Sequence, residues 1–409
     1  MFSPVKESAW EGVSILQEWN GKRILKYLGV VLLIFSVLTT VTIGGFLVTN
    51  LSHLSRFVRV LQLINTQYLD VVNKNQLVDG ATQGIVNSLG DPYSTYMNAN
   101  ENQHLMEVIE GKFGGVGIVL SLKDPTKLMI LRAIKNTPAA KAGIQMGDIV
   151  QKIDNVNTST IDQEKAVSLM RGDPGTKVTL VLYRESLKKD ITLTLTREKI
   201  IVPTVEGKAL PGRSDIAYID ISQFSSDTGS ELAEVLKSMD IRKYKGLIMD
   251  LRYNHGGELN AAVQVASYFV TPGPVVYIVD KQGRVDTKNS IKESYLGIPL
   301  VVLVNEESAS AAEIVSGAIK DKGTGTLVGV KTFGKGIVQT IFPLDSGTSV
   351  KLTTAKYLTP NKLDIHKIGI QPDVKVELAK GQEATISPTD TKFDPQLEKA
   401  QQVLESKLK

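Results

Sequence analysis

The chain has 409 residues, with 47 Lys and Arg against 43 Asp and Glu, and it contains no cysteine. That length holds two or three domains with a sizeable core, and a surplus of +4 is too small to argue for a nucleic-acid partner. The absence of cysteine excludes disulfides, thiol nucleophiles, zinc ribbons and iron–sulfur clusters.

Residues 1–26 read as a short polar tail. From Tyr27 to Asn50 there is no charged residue, and Leu, Val and Ile dominate. About 20 apolar residues at a rise of about 1.5 Å cross a hydrocarbon layer of about 30 Å. Lys22, Arg23 and Lys26 precede the run and place its N-terminal side in the cytoplasm, a signal that Arg56 and Arg59 on the other side weaken. No alanine lies between Ala9 and Ala81, so no A-x-A cleavage site follows the run. The expectation is an uncleaved anchor over 27–50, with everything beyond about residue 52 outside the cytoplasm.

Residues 52–102 read as a helical region. Leu54, Phe57, Val58, Leu61 and Ile64 recur at helical spacing, and a second helical run, Asn75 to Leu89, stops at Gly90-Asp91-Pro92.

Residues 103–199 read as a separate β-rich module. Phe113-Gly114-Gly115-Val116 forms a glycine turn leading into a strand from Val116 to Leu122, and a second strand runs from Leu128 to Ala133. Then come a short helix at Thr137–Ile144, a strand at Asp148–Ile153 and a helix at Asp162–Met170. Strands at Lys177–Arg184 and Ile191–Arg197 close the module. This order resembles a PDZ domain of the bacterial protease type. Phe113, Gly114, Gly115 and Val116 would offer backbone N–H groups to a terminal carboxylate, and Val167 and Met170 would line a side-chain pocket. A β-module with no ligand is the plainer reading.

From 200 to 380 strands alternate with helices, which predicts a sheet covered by helices. The expected strands are 216–221, 246–251, 275–279, 300–304 and 351–357, and the expected helices are 227–239, 259–269 and 311–319. Leu251-Arg252-Tyr253-Asn254-His255-Gly256-Gly257 ends the second strand, where α/β sheets build their sites. Residues 381–392 read as a linker, and 393–408 as a last amphipathic helix through Leu397, Ala400, Val403, Leu404 and Leu408.

The chemistry lies in 305–339. Ser308-Ala309-Ser310 opens a helix, and Thr332-Phe333-Gly334-Lys335-Gly336 presents one lysine among glycines and apolar residues. A hydroxyl at a helix N-terminus meets unpaired N–H groups that can hold an oxyanion. A buried lysine loses proton affinity and can serve as a base. Both Ser308 and Ser310 satisfy that description.

Ser308-Ala309-Ser310-Ala311-Ala312-Glu313, followed by Thr332 to Gln339, resembles the core of the carboxyl-terminal processing peptidases. These are PDZ-bearing serine proteases with a Ser-Lys dyad. Ala312 departs from the family pattern, which often has serine there. The resemblance implies Ser310 as nucleophile, Lys335 as general base and Gln339 as the residue orienting the lysine. It also implies an oxyanion hole from the N–H of Ala311 and of Gly256 or Gly257, a choice that stays open. His255 stands where the family has proline. Residues 77–97, with Gly90-Asp91-Pro92-Tyr93, and the closing stretches Tyr357–Pro360 and Ile365–Asp373 resemble the same family.

Rival chemistries are weaker. Gly329 to Lys335 imitates a phosphate loop, but residue 336 is glycine where Ser or Thr is required. The four histidines are His53, His104, His255 and His366, without a G-x-S-x-G elbow, and of these His255 is the one placed to compete as base. No His/Asp/Glu cluster has metal-ligand spacing, so no metal or other cofactor is expected.

The expected architecture is multidomain α+β. It comprises a cytoplasmic tail (1–26), a transmembrane helix (27–50), a helical region (52–102), a PDZ module (103–199), a catalytic α/β core of the ClpP/crotonase-like kind (200–380), and a linker with a last helix (381–409). The expected function is a membrane-anchored, single-pass serine endopeptidase that cleaves near the C-termini of extracytoplasmic proteins. Its expected partners are protein or peptide tails, the membrane, a second copy in a homodimer and a regulatory protein. A catalytically silent, membrane-tethered PDZ scaffold is the alternative.

Overall fold

The computed structural model describes residues 21–121, 127–291, 294–379 and 394–408, with the side chains of 21–25, 41–53 and 164 set aside. Residues 1–20 of the tail expected at 1–26, and the linker expected at 381–392, lie outside the described residues. The chain divides into two units, Met1–Gly80 and Ala81–Lys409.

In the first unit the expected anchor and the helix after it are one helix, α1 (Gly21–Gln67). No proline interrupts those residues, so nothing in the backbone forces a break. Among the described residues no helix is long and apolar enough to cross a membrane. Part of the run expected to do so, 41–50, has its side chains outside the described set. Helix α2 (Lys74–Asn87) follows and stops before Gly90, as the glycine–proline signal predicts.

The second unit begins at Ala81, within α2, and continues with β1 (Thr95–Met97) and α3 (Ala99–Glu110). The sequence reading gave no helix at α3, yet its start is sharply marked. Asn98 accepts the Glu101 N–H at 3.0 Å and Glu101 accepts the Asn98 N–H at 2.9 Å, a reciprocal cap.

The β-rich module begins with β2 (Lys112–Gly115), β3 (Ile118–Leu120) and β4 (Ile130–Ala133), then α4 (Pro138–Lys141) and β5 (Ile149–Ile153). It continues through β6 (Val156–Asn157), α5 (Gln163–Met170), β7 (Lys177–Arg184), β8 (Lys189–Thr196) and β9 (Glu198–Ile201). The expected free turn over 113–116 is instead mostly strand, because β2 pairs antiparallel with β9. The main sheet runs β6-β5-β7-β8. Val178, Leu180 and Leu182 alternate inward along β7 onto Ile153, Ala166 and Leu195. Arg184 grips the buried Asp148 through Nε at 2.8 Å and Nη2 at 2.7 Å.

The remaining elements are β10 (Val205–Leu210), β11 (Arg213–Ile221), α6 (Thr228–Ser238), β12 (Gly246–Asp250), α7 (Leu259–Ser267), β13 (Pro274–Asp280) and β14 (Val285–Asn289). They continue through β15 (Leu300–Val304), α8 (Ala311–Asp321), β16 (Thr326–Gly329), β17 (Ile337–Pro343), β18 (Ser349–Leu358), β19 (Val374–Lys375) and α9 (Pro395–Lys407). Six strands form a sheet in the order β10-β11-β12-β15-β16-β19, parallel except for β10.

Strands β12 and β15 are buried at every position, which is why they read as unbroken apolar runs. Alternate residues serve two cores. Leu247, Met249, Leu300 and Val302 face the side of α6, α7 and α8, while Ile248, Val301 and Leu303 face Leu397, Ala400 and Leu404 of α9. Gly246 has no side chain because Leu404 lies 3.0 Å from where a Cβ would sit. A second sheet, β1-β18-β13-β14 with β17 also on β18, borders the helical face. Strand β17 was not expected from the sequence; it immediately follows the Lys335 turn and pairs with β18.

Candidate active site

Helix α8 starts at Ser310, whose backbone has φ 54° and ψ −112°. A non-glycine residue there is strained by about 1–3 kcal/mol and persists only when its surroundings fix it. The Ser310 N–H is received by Glu313 Oε2 at 2.9 Å. The Ser310 carbonyl accepts the Tyr357 hydroxyl at 3.1 Å and the N–H groups of Glu313 and Ile314 at 2.8 and 3.0 Å. These contacts over-determine the turn and turn the serine toward a cavity.

Ser308 is different. It is fully buried, its Oγ donates to the Leu251 carbonyl at 2.8 Å, and it accepts the Asn305 N–H at 2.9 Å. Its hydroxyl holds two turns together, so structure separates two serines that the motif alone could not.

A cavity of about 550 Å³ is lined by Ser310, Ala311, Gly256, Gly257, Lys335 and Gln339, with Leu105, Val108 and Ile109 of α3 on another wall. Thus all six residues expected to carry the chemistry border one space. The glycine turn is fixed by Asn254, which is fully buried. Its side-chain N–H₂ donates to the Ile221 carbonyl at 2.6 Å, its Oδ1 accepts the Gly256 N–H at 2.9 Å, and its carbonyl accepts the Ala309 N–H at 2.9 Å. Gly256 has φ +96°, and a Cβ there would stand 2.7 Å from the Ala309 carbonyl and 2.9 Å from the Ala311 nitrogen. Only glycine brings the two turns this close.

The Gly256 N–H is therefore already committed to Asn254. Among the described hydrogen bonds neither Gly257 nor Ala311 donates its N–H. That distinguishes the two glycines the sequence left equivalent.

Lys335 is half-buried. Burial first, then the like charge of Lys351, hold its pKa below lysine's ordinary value, while Asp91 pulls the other way. Its Nζ lies 4.9 Å from the centroid of the Tyr93 ring. Among the described hydrogen bonds none joins Lys335 Nζ to Ser310 Oγ or to Gln339, and Gln339 Nε2 is buried without a partner. Gln339 shares the cavity with the lysine it is expected to orient.

Glu313 was quoted in the sequence motif without a role. It is fully buried, and its carboxylate receives the N–H groups of Ser310 (2.9 Å), Gly334 (2.7 Å) and Lys335 (2.8 Å) and the Thr332 hydroxyl (2.6 Å). The signal that could have found it is the Ser-x-x-Glu spacing of a capping box. Tyr93, Asp91 and Tyr357 stand in stretches that resemble the family, but no local pattern sets them beside Lys335 and Ser310.

His255, the rival base, also borders the cavity, but its Nε2 sits 2.7 Å from Glu307 on the exposed side. Among the described residues no group of His, Asp and Glu could hold a metal ion.

In the β-rich module the expected tail-binding residues separate. Val167 and Gly114 line a second cavity of about 570 Å³, together with Arg171 and with His104 and Glu107 of α3. Val116 and Met170 do not line it; both are buried in the module core, because α5 turns Met170 inward beside Ala166. The Phe113 ring lies 4.6 Å beneath the Arg171 guanidinium and packs against Gly115. Gly114 accepts the Gly172 N–H at 3.1 Å. Arg171 in turn donates to Glu107 at 3.0 Å and meets His104 Nδ1 at 2.8 Å. Helix α3 thus borders both cavities.

Comparison with known proteins agrees with this arrangement. The model of peptidase family S41 matches residues 215–376, that of the activating protease CtpB N-terminal domain 44–101, and that of the PDZ domain 129–184. A carboxy-terminal-processing protease of Bartonella bacilliformis is 36% identical over 334 residues, covering 80% of this chain and 75% of that protein. The carboxy-terminal processing protease CtpA of Bacillus subtilis is 38% identical over 331 residues, covering 81% of this chain and 70% of that protein. A solved structure from Bacteroides fragilis, described as an S41 protease, shares the fold at 15% identity with a TM-score of 0.52, covering 83% of this chain and 92% of its own.

Proposed function

Because this chain belongs to the carboxy-terminal processing proteases, and is a serine-type endopeptidase of family S41 with a PDZ domain, we propose that it cleaves by a Ser310–Lys335 dyad. The observation that carries the reading is that Ser310, Lys335 and the uncommitted N–H groups of Gly257 and Ala311 border one cavity.

In this mechanism the neutral Lys335 amine takes the proton of Ser310 Oγ as that oxygen attacks the scissile carbonyl. The oxyanion forms against Gly257 N–H and Ala311 N–H, at the positive end of α8. The lysine returns the proton to the leaving amine, and the acyl-enzyme is hydrolysed by a water from which the lysine again takes a proton. Substrate must draw Nζ off the Tyr93 ring to about 3 Å from Oγ. Gln339 orients the lysine by accepting an amine N–H on its Oε1, which leaves its unpartnered Nε2 as a donor for substrate.

Substrate selection is assigned to the PDZ module spanning 103–199, which would take a protein's C-terminal tail beside Val167 and Gly114 and pass it to the catalytic domain spanning 200–380. Helix α3 supports a link between the two cavities through Arg171, Glu107 and His104. A membrane anchor over 27–50 is supported by the uncharged run and its basic flank. It is also supported by the outward exposure of Leu32, Leu33 and Phe35. The corresponding substrates are extracytoplasmic, and a homodimer and a regulator belong to the same proposal.

The test pairs two peptides that share one apolar C-terminal sequence, one with a free carboxylate and one amidated. Cleavage by wild type, its loss in Ser310→Ala with tail binding retained, and weaker cleavage of the amide are expected. Equal cleavage of both peptides would remove tail capture from the proposal. Release of the full chain from membranes by salt alone would remove the anchor.

A further inference from the structure

The chain contributes to the environment of Lys335 from a segment 242 residues upstream of it, counting from Tyr93. The turn after α2 is closed by Asp91, whose Oδ2 accepts the Ser94 hydroxyl at 2.6 Å and whose Oδ1 accepts the Tyr93 N–H at 3.0 Å. Ser94, 6% exposed, accepts the Thr353 N–H of β18 at 3.0 Å. Strand β1 then pairs with β18, with Thr95 opposite Lys351. The loop is therefore bolted to the strand that forms one wall of the cavity, and the bolt presents the Tyr93 ring to Lys335 Nζ at 4.9 Å. An ammonium over an aromatic face is held by the ring quadrupole, and a neutral amine is not.

We propose that Tyr93 is a positioning residue for the catalytic base: its ring holds the Lys335 ammonium inside the cleft between proton transfers, and the Asp91–Ser94 loop exists to keep it there. The inference rests on the reading of Lys335 as base.

The charged groups around the lysine make the device testable. Asp91 favours the ammonium from the loop and Lys351 of β18 opposes it. Glu313 of α8 binds the lysine's main-chain N–H and not its amine. His366 bears on Asp91 from the segment after β18, and His255, on the cavity wall, is paired with Glu307. The ring and Asp91 act together, so losing the ring must favour the neutral amine and leave the ammonium formed at each proton transfer less well held in the cleft.

The experiment measures kcat and KM against pH on a tail-bearing reporter peptide with the full chain. Tyr93→Met keeps the volume without the ring, Tyr93→Phe keeps the ring without the hydroxyl, and Lys351→Met removes the opposing charge. For Tyr93→Met, kcat is expected to fall about 10- to 100-fold with KM within about twofold, and the acid limb of the profile to move to lower pH. Tyr93→Phe is expected to restore both, and Lys351→Met to move the limb to higher pH. A Tyr93→Met enzyme with wild-type kcat and limb would overturn the proposal, and so would a Tyr93→Phe enzyme as impaired as Tyr93→Met. Lys335→Ala separates the two claims. If it still cleaves, the base assignment itself is wrong; if it is silent while Tyr93→Met behaves as wild type, only the role of Tyr93 fails.

Discussion

The main chains of Ser310 and Lys335 share one acceptor: Glu313 Oε2 receives the N–H of the serine at 2.9 Å and that of the lysine at 2.8 Å. Two turns 25 residues apart, counting from Ser310 to Lys335, are thereby set against each other by one buried carboxylate. Glu313→Gln keeps the shape but turns an N–H₂ toward N–H donors. Each charge-assisted bond lost costs about 1.5–3 kcal/mol. We expect kcat/KM to fall at least about 100-fold, with tail binding by the PDZ domain unchanged. Equal losses of tail binding and turnover would point to general unfolding instead.

The lowered proton affinity of Lys335 fixes the direction of the pH response. A lysine base works as the neutral amine, so the rate rises as pH rises through its folded pKa. Burial and Lys351 place that pKa below lysine's ordinary value of about 10.4. The acid limb of kcat/KM should therefore lie below lysine's ordinary value, and it should shift upward in Lys351→Met. A profile flat from about pH 5 to 9 would count against a lysine base.

The C-terminal helix is tied to the glycine turn after β12 through Arg252. This buried guanidinium bonds Asp394 through Nη1 at 2.9 Å and Nη2 at 2.6 Å, and Asp250 through Nε at 3.0 Å. Asp394 also caps α9 by accepting the Leu397 N–H at 2.9 Å. Removing Asp394 leaves Arg252 its bonds to Asp250 but takes away two charge-assisted hydrogen bonds, each worth about 1.5–3 kcal/mol, together with the cap of α9. Asp394→Ala should lower the urea midpoint accordingly, whereas a midpoint within error of wild type would show that α9 does not brace the turn.

Asp220 gives a stability prediction with a definite sign. Burial first, then the charges of Asp250 and Glu206, push its pKa up to about 7, opposed by Arg252 and Lys208. The folded chain thus retains a proton that the unfolded chain releases near pH 3.9. The associated stability is complete below about pH 4 and is lost as pH rises through about 7. Asp220→Asn should be more stable than wild type at pH 8, by on the order of 1–3 kcal/mol, and equal to it at pH 4. A pH-independent difference in melting behaviour would contradict this.

The parallel core was legible because fully buried strands such as Leu300–Val304 announce themselves as apolar runs. Strand β17 was not, since Ile337 to Pro343 is half-exposed and takes its shape from pairing with β18. Ser310 and Lys335 were legible as a motif. Rejecting Ser308 required its bonds to Leu251 and Asn305, which are long-range facts. For the same reason the bond that occupies the Gly256 N–H and leaves that of Gly257 uncommitted was out of reach of the motif, and Met170 could be turned into the core only once the orientation of α5 was known. Tyr93 stands in a stretch that resembles the family, but its place beside Lys335 comes from the pairing of β1 with β18, which leaves no local pattern.

The central claim is that Ser310 attacks and Lys335 takes its proton. Mass spectrometry of the full chain mixed with a free-tailed substrate, comparing wild type, Ser310→Ala and Lys335→Ala, tests it most directly. The account predicts cleavage products with wild type and intact, tail-bound substrate with both variants. Products released by Ser310→Ala at the wild-type rate would contradict it.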